Sequence, residues 1–255
     1  MNFSNSNTIH PTAILEGDIS LGEGNVIGPY CVFRGNIKIG NNNTFHGSAF
    51  LENSIEIGDG NIFYNQISLG TPGEMGSKGD RLIENGKVVI GSKNTIREFV
   101  NFNSPVRRME SRIGDSNYIM ARSYLPHDCL LENRVVMANG ATMGGGCIIS
   151  ESAYLGLGSV VHQWVNIGES AMIGLQAGIT TNILPFCVVV GVSGRILKFN
   201  RVGAERRGFS EEEIAEVEMN FKDIVTGRYI SQNRIIESIN DFRGAQNENV
   251  LLKFV

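Results

Sequence analysis

The stretch YLPHDCLLEN, residues 124–133, sets a histidine, an aspartate and a cysteine side by side between apolar residues. Three readings are open to such a trio: metal ligation, a histidine–carboxylate dyad for acid–base work, or an ordinary strand surface. A second run, MGGGC at 143–147, offers backbone N–H groups bare of side chains, which suit an oxyanion. Cations gather at Arg206 and Arg207, at Lys78 in a glycine-rich stretch, and at Arg107, Arg108 and Arg112. The four cysteines, Cys31, Cys129, Cys147 and Cys187, lie far apart and form no CxxC, so neither a disulfide framework nor a structural metal site is expected. They read instead as small apolar residues of a chain in the reducing cytoplasm.

What positions these residues is a period of six. From Ile9 every sixth residue is Leu15, Leu21, Ile27, Phe33, Ile39, Phe45, Leu51, Ile57, Phe63 and Leu69. The register breaks after Gly70 and resumes at Ile90, Ile96 and Phe102; it breaks again and runs from Ile113 through Leu125, Leu131 and Met143 to Ile179. Small or medium residues such as Ala49, Cys129, Ala141 and Cys147 stand two positions before the large ones, and glycine often follows them. A helix would place apolar residues three and four apart and a plain strand every two. Six with a glycine at the corner suits a short strand and a turn, one face of a parallel β-helix. Each rung buries little alone, so stability comes from stacking.

Composition agrees. The chain has 255 residues, 42% of them hydrophobic, with 31 glycines and 13 phenylalanines, enough for a core of aliphatic and small residues with many turns. A net charge of −4 argues against nucleic acid as the main partner but leaves room for an anionic small molecule. No apolar run reaches the length of a membrane span, and no signal peptide is expected at the start of the chain.

The hexads end where Pro185 breaks them. Ser210 with Glu213 at capping-box spacing then opens a helix carrying Ile214, Val217, Phe221 and Ile224 on one face. A second helical segment spans about Arg234 to Phe242. The expected organisation is a β-helix over 1–185, with loop insertions at about 70–89 and 103–112, and a helical subdomain over 186–255. Loops thrown from a rigid scaffold often carry function, though either could be merely solvated.

The hexads resemble the hexapeptide-repeat acyltransferases, whose fold is a left-handed parallel β-helix, over roughly residues 9–184. At 18 residues per coil this gives about eight to nine coils and a prism roughly 40 Å long. Within that group IHPTAI near the start, HDC at 127–129, ANGAT at 138–142, VHQW at 161–164 and RRGFS at 206–210 resemble the acyl carrier protein–UDP-N-acetylglucosamine O-acyltransferases of lipid A biosynthesis. The resemblance implies a homotrimer with sites between subunits, a β-hydroxyacyl donor on acyl carrier protein, a sugar-nucleotide acceptor and no cofactor. It casts His127 as general base with Asp128 as its partner and Gly145 as the oxyanion donor. It casts Arg206 and Arg207 on the nucleotide's phosphates, with Lys78, His162, Gln163 and Asn200 as further substrate contacts. Leu175 falls where relatives end the acyl groove, and should shorten it.

The residues themselves support part of this. On the hexad register His127, two positions after buried Leu125, points outward, whereas Cys129 points in, which removes the metal triad. Adjacent side chains on a strand face opposite ways, so Asp128 could instead sit in the turn of its coil. Gly145 follows His127 by 18 residues, one coil. The chain also departs from its relatives: Tyr124 and Gly146 replace histidines, Val202 replaces an acidic residue, and EMGSKG replaces the usual loop around Lys78. All touch the acceptor pocket or acyl channel. A paralogue that acylates a different nucleotide-linked sugar for surface polysaccharide, on oxygen or nitrogen and even from acyl-CoA, is therefore the alternative. A zinc enzyme like the γ-class carbonic anhydrases, or a scaffold without activity, are the remaining rivals; the four histidines lack the spacing for the first, and irregular outward positions argue against the second.

Overall fold

The computed structural model describes residues 4–74, 82–246 and 253–254. Short parallel strands wind into a β-helix, and three C-terminal helices follow it. Most hexads yield a two-residue strand whose second residue is buried: Tyr118–Ile119, Tyr124–Leu125 and Leu130–Leu131 are three faces of one coil. Strands pair with those one coil away, Val26 with Thr44 and Val136 with Tyr154, so identical environments recur every 18 residues.

One face carries ten parallel strands, from Thr8–Ile9 to Cys187–Val190, with Arg195–Phe199 added antiparallel at the end. This exceeds the expected eight to nine coils. The sheet does not stop at Pro185, because Val188 and Val189 still pair with Met172 and Ile173. Large residues fill the interior, Phe33, Phe45 and Phe63 meeting ring to ring at 4.9 and 4.4 Å.

Turning three times per coil requires left-handed backbone at the corners. In one column five non-glycine residues, Asn42, Lys93, Ser116, Arg134 and Ser152, have φ of 55 to 60°. The strain of such residues is offset where side chains satisfy the turn. Asn25, Asn43, Asn61 and Asn94 form a buried ladder beside it. Each Oδ1 accepts the backbone N–H of the next asparagine at 2.8–2.9 Å, while Asn61 Nδ2 also donates to Gly91 O at 2.9 Å. The ladder absorbs both insertions, its step lengthening to 33 residues between Asn61 and Asn94 and 23 between Asn94 and Asn117. The loops therefore leave the prism without disturbing its stacking.

Helix α1 spans Arg201–Arg206, α2 Glu211–Val225 and α3 Arg234–Ala245. The Ser210–Glu213 capping box opens α2, and Ile214, Val217, Phe221 and Ile224 are its buried face. The short α1, capped by Asn200, has no helical period and was not expected from the sequence. An aromatic chain, Phe186, Phe199, Phe221 and Phe254, ties the helices to the end of the solenoid.

Candidate active site

The residues 126–129 form a corner between the strands Tyr124–Leu125 and Leu130–Leu131. Being turn rather than strand, they do not alternate, so Asp128 sits in the turn of its coil and still faces His127. Asp128 takes the left-handed conformation, φ 64°, in a column with Gly146 and Trp164. That turn folds its carboxylate back so that Oδ2 lies 2.8 Å from His127 Nδ1.

The carboxylate is fully buried, and its other oxygen is held by the first part of the 103–112 loop. The N–H groups of Val106, Arg107 and Arg108 all donate to Oδ1, at 3.1, 3.0 and 2.7 Å. Its own backbone N–H donates to Ser111 Oγ at 2.9 Å. Burial by itself would raise the Asp128 pKa, but these N–H groups, with that of Arg108 foremost, and the histidine bond outweigh it and hold the carboxyl below its ordinary value. An ionised carboxylate only accepts, so the Asp128 bond places the proton on Nδ1 and leaves Nε2 with a free lone pair.

Gly145 lies one coil beyond His127, against the ring. A Cβ there would stand 2.5 Å from imidazole Cε1 and 2.7 Å from Nε2, so only glycine fits. Its carbonyl accepts from Trp164 N–H at 3.0 Å, but among the described residues its N–H has no acceptor. A base with a free lone pair beside an unspent backbone donor is a layout for attack on a carbonyl, with room for the oxyanion that follows.

The surroundings of the base were only partly foreseen. Gly73, from the first loop, packs on His127 Cβ, and the next residue, Glu74, accepts from the Tyr124 hydroxyl at 3.1 Å. Burial, then the Glu74 charge, push the Tyr124 pKa up, so it stays a donor. The signal for these contacts was the position of the break in the hexads; no local motif marks them. Gly146, with φ 77°, lies under the Trp164 ring, where a Cβ would come within 2.3 Å of the indole. His162 and Gln163 are exposed at the same corner, one coil beyond Gly144 and Gly145.

A second group sits elsewhere. Asn200, Arg206, Arg207, Lys198, Tyr154 and Met172 line a cleft of about 670 Å³ where α1 meets the ten-stranded face. The expected basic pair divides here. Arg207 is half-buried and bound to Glu151 and Glu169 at 3.0 and 3.1 Å, so it ties α1 to the solenoid. Arg206 is exposed and meets no carboxylate among the described residues. Asn200 has its amide committed, Oδ1 to Gly203 N–H and Nδ2 to Ser170 O. Leu175 is at the third corner, 69% exposed, in the column of Leu157. Lys78 lies outside the described residues. The chain thus gathers His127, Asp128, Gly145, Gly146 and Tyr124 at one corner and leaves the Arg206 cleft beyond another.

A family described as UDP-N-acetylglucosamine O-acyltransferase, domain 2, matches residues 182–255. The acyl-[acyl-carrier-protein]–UDP-N-acetylglucosamine O-acyltransferase of Leptothrix cholodnii is 42% identical over 243 residues, covering 94% of this chain and 90% of the relative. Among solved structures, the UDP-N-acetylglucosamine acyltransferase of Campylobacter jejuni is 26% identical with a TM-score of 0.76, covering 99% of both chains. That of Francisella novicida, at 23% identity, shares the fold with a TM-score of 0.87 over 96% of this chain and 94% of its own.

Proposed function

Because the chain belongs to the acyl-[acyl-carrier-protein]–UDP-N-acetylglucosamine O-acyltransferase family, we propose that it moves a 3-hydroxyacyl group from an acyl carrier protein thioester to a hydroxyl of UDP-N-acetylglucosamine, as in lipid A biosynthesis. The observation that carries this reading is the 2.8 Å contact of His127 Nδ1 with a buried, backbone-held Asp128, beside Gly145.

The chemistry follows from the geometry. The acceptor hydroxyl attacks the thioester carbonyl carbon as His127 Nε2 takes its proton. Asp128 stabilises the imidazolium that forms, and the Gly145 N–H faces the new oxyanion. Collapse breaks the C–S bond, and Nε2 returns the proton to the departing thiolate, leaving an ester and a free thiol. No enzyme nucleophile is needed, because the acceptor itself attacks.

Around this step we assign Tyr124, His162 and Gln163 to the substrates' passage along the corner, and Arg206, with Lys198 beside it, to the nucleotide's phosphates. Arg207 serves by holding α1 in place. Leu157, Val160 and Leu175, each more than half exposed, suit one wall of an acyl groove. The assembly we assign is a trimer, which would bring the Arg206 cleft of one subunit to the His127 corner of the next. We assign the compartment to the cytoplasm on the four free, buried cysteines.

His127→Ala, assayed by mass spectrometry with acyl carrier protein donors and UDP-N-acetylglucosamine, should lower kcat by about 10²–10⁴-fold while the protein stays folded. Turnover within a few-fold of the parent would defeat the reading.

A further inference from the structure

The loop that fixes Asp128 also delivers two cations that the transfer step leaves unused. The backbone N–H groups of Arg107 and Arg108 end on Asp128 Oδ1, so both residues start within one hydrogen bond of the dyad. Their side chains then run to Trp164: the two guanidinium carbons lie 5.4 and 5.8 Å from the indole. Arg108 Nη2 also reaches Gly146 O at 3.3 Å. Trp164 is 41% exposed, and its ring is seated on Gly146.

Charge balance sets this pair apart. Arg112, on the strand Glu110–Ile113 that follows the loop, is held by Glu110 at 2.7 Å. Arg107 and Arg108 meet no carboxylate among the described residues. Two guanidinium groups without counter-ions repel, yet here the indole face and a fixed backbone keep them together. The planar donors of such a pair match the oxygens of a phosphoryl group.

We propose that Arg107, Arg108 and Trp164 form a phosphoryl-binding site flanking the base. The proposal rests on the acyl-transfer reading, since both substrates of that reaction carry the required chemistry. One source is the diphosphate of the sugar nucleotide; the other is the phosphodiester that links the carrier protein to its pantetheine arm. Asp128 then has two tasks, orienting His127 through Oδ2 and placing the phosphoryl site through Oδ1, which sets a fixed distance between anchor and base.

The test is the double variant Arg107→Gln/Arg108→Gln, with KM measured separately for UDP-N-acetylglucosamine and for acyl carrier protein donor. One of the two should rise at least about tenfold, with kcat within a few-fold of the parent. A rise for the nucleotide sugar, with weaker binding of UDP alone by calorimetry, assigns the nucleotide diphosphate. A rise for the acyl carrier protein, absent with S-acyl-pantetheine lacking phosphate, assigns the carrier arm. Trp164→Leu should raise the same KM, which gives an independent readout should the double variant fold poorly. Arg112→Gln, whose partner is Glu110, should change neither. Unaltered KM for both substrates in the double variant and in Trp164→Leu overturns the site. That outcome alongside an inactive His127→Ala protein leaves acyl transfer standing, whereas an active His127→Ala protein removes the reading beneath both.

Discussion

The hexad position makes His127 point out of the core, whereas the partnership of Asp128 rests on the resemblance and could not be read from alternation. Alternation holds for strands, and 126–129 is a turn whose left-handed Asp128 brings adjacent side chains together. Asp128→Asn separates orientation from charge. The amide oxygen can still accept the loop's N–H groups, but Nδ2 would then donate toward His127, moving the ring proton to Nε2 and removing the lone pair. We expect kcat to fall about 10²-fold or more with the fold intact; equal kcat for the two proteins would exclude a role for the tautomer. The same carboxylate makes a pH prediction. Its folded pKa lies below its unfolded value near 3.9, so its stabilisation is present above about pH 4 and lost as pH falls through the lower, folded value. The gap in melting temperature between parent and Asp128→Asn should thus be constant from neutral pH to about pH 5 and narrow below pH 4. A gap that widens on acidification would contradict it.

Among the elements, the hexads disclosed the solenoid because each one repeats the same local demand, a large apolar residue facing the interior at the end of a strand. The helices α2 and α3 showed their period and, for α2, its cap. What the sequence concealed was whatever depends on contacts between loops: Gly73 on His127, Glu74 on Tyr124, and residues 106–108 on Asp128. These have no period, and their partners are distant in the chain. The asparagine ladder was concealed differently, since its residues are polar and fall outside the apolar register. It is nevertheless a structural element in its own right. Asn61 accepts from Asn94 and donates to Asn43 Oδ1 and Gly91 O, all within the interior. Asn61→Ala would strand several of these groups at once, at about 1–3 kcal/mol for each one left unsatisfied. Chemical denaturation at fixed protein concentration should therefore show a loss of about 2–5 kcal/mol. Half-buried Asn7 makes a similar carbonyl contact at the first coil, its Nδ2 donating to Gly22 O at 2.8 Å, and Asn7→Ala should cost well under half as much. Equal losses would mean that burial of the ladder contributes little.

For the whole molecule, the arrangement of the two clefts is the main constraint. His127 and Gly145 sit at the corner between the second and third strands of a coil. The Arg206 cleft lies beyond the next corner, on the ten-stranded face with Tyr154 and Met172. A full face of the prism separates them within one chain, and α1 is tied down by Arg207 to Glu151 and Glu169, so it cannot swing across. If one acceptor must meet both, the cation has to come from another copy. The trimer proposed above would meet this need, with each subunit presenting one corner to the next in a closed ring. The consequence can be tested without a ligand-bound structure. His127→Ala and Arg206→Ala subunits should each assemble into trimers of low activity. Co-refolded in equal amounts, they should regain about a quarter of parental activity, because random assortment pairs an intact base with an intact neighbouring cation at that frequency. A site confined to one chain gives no recovery, since every chain in the mixture would still carry one lesion.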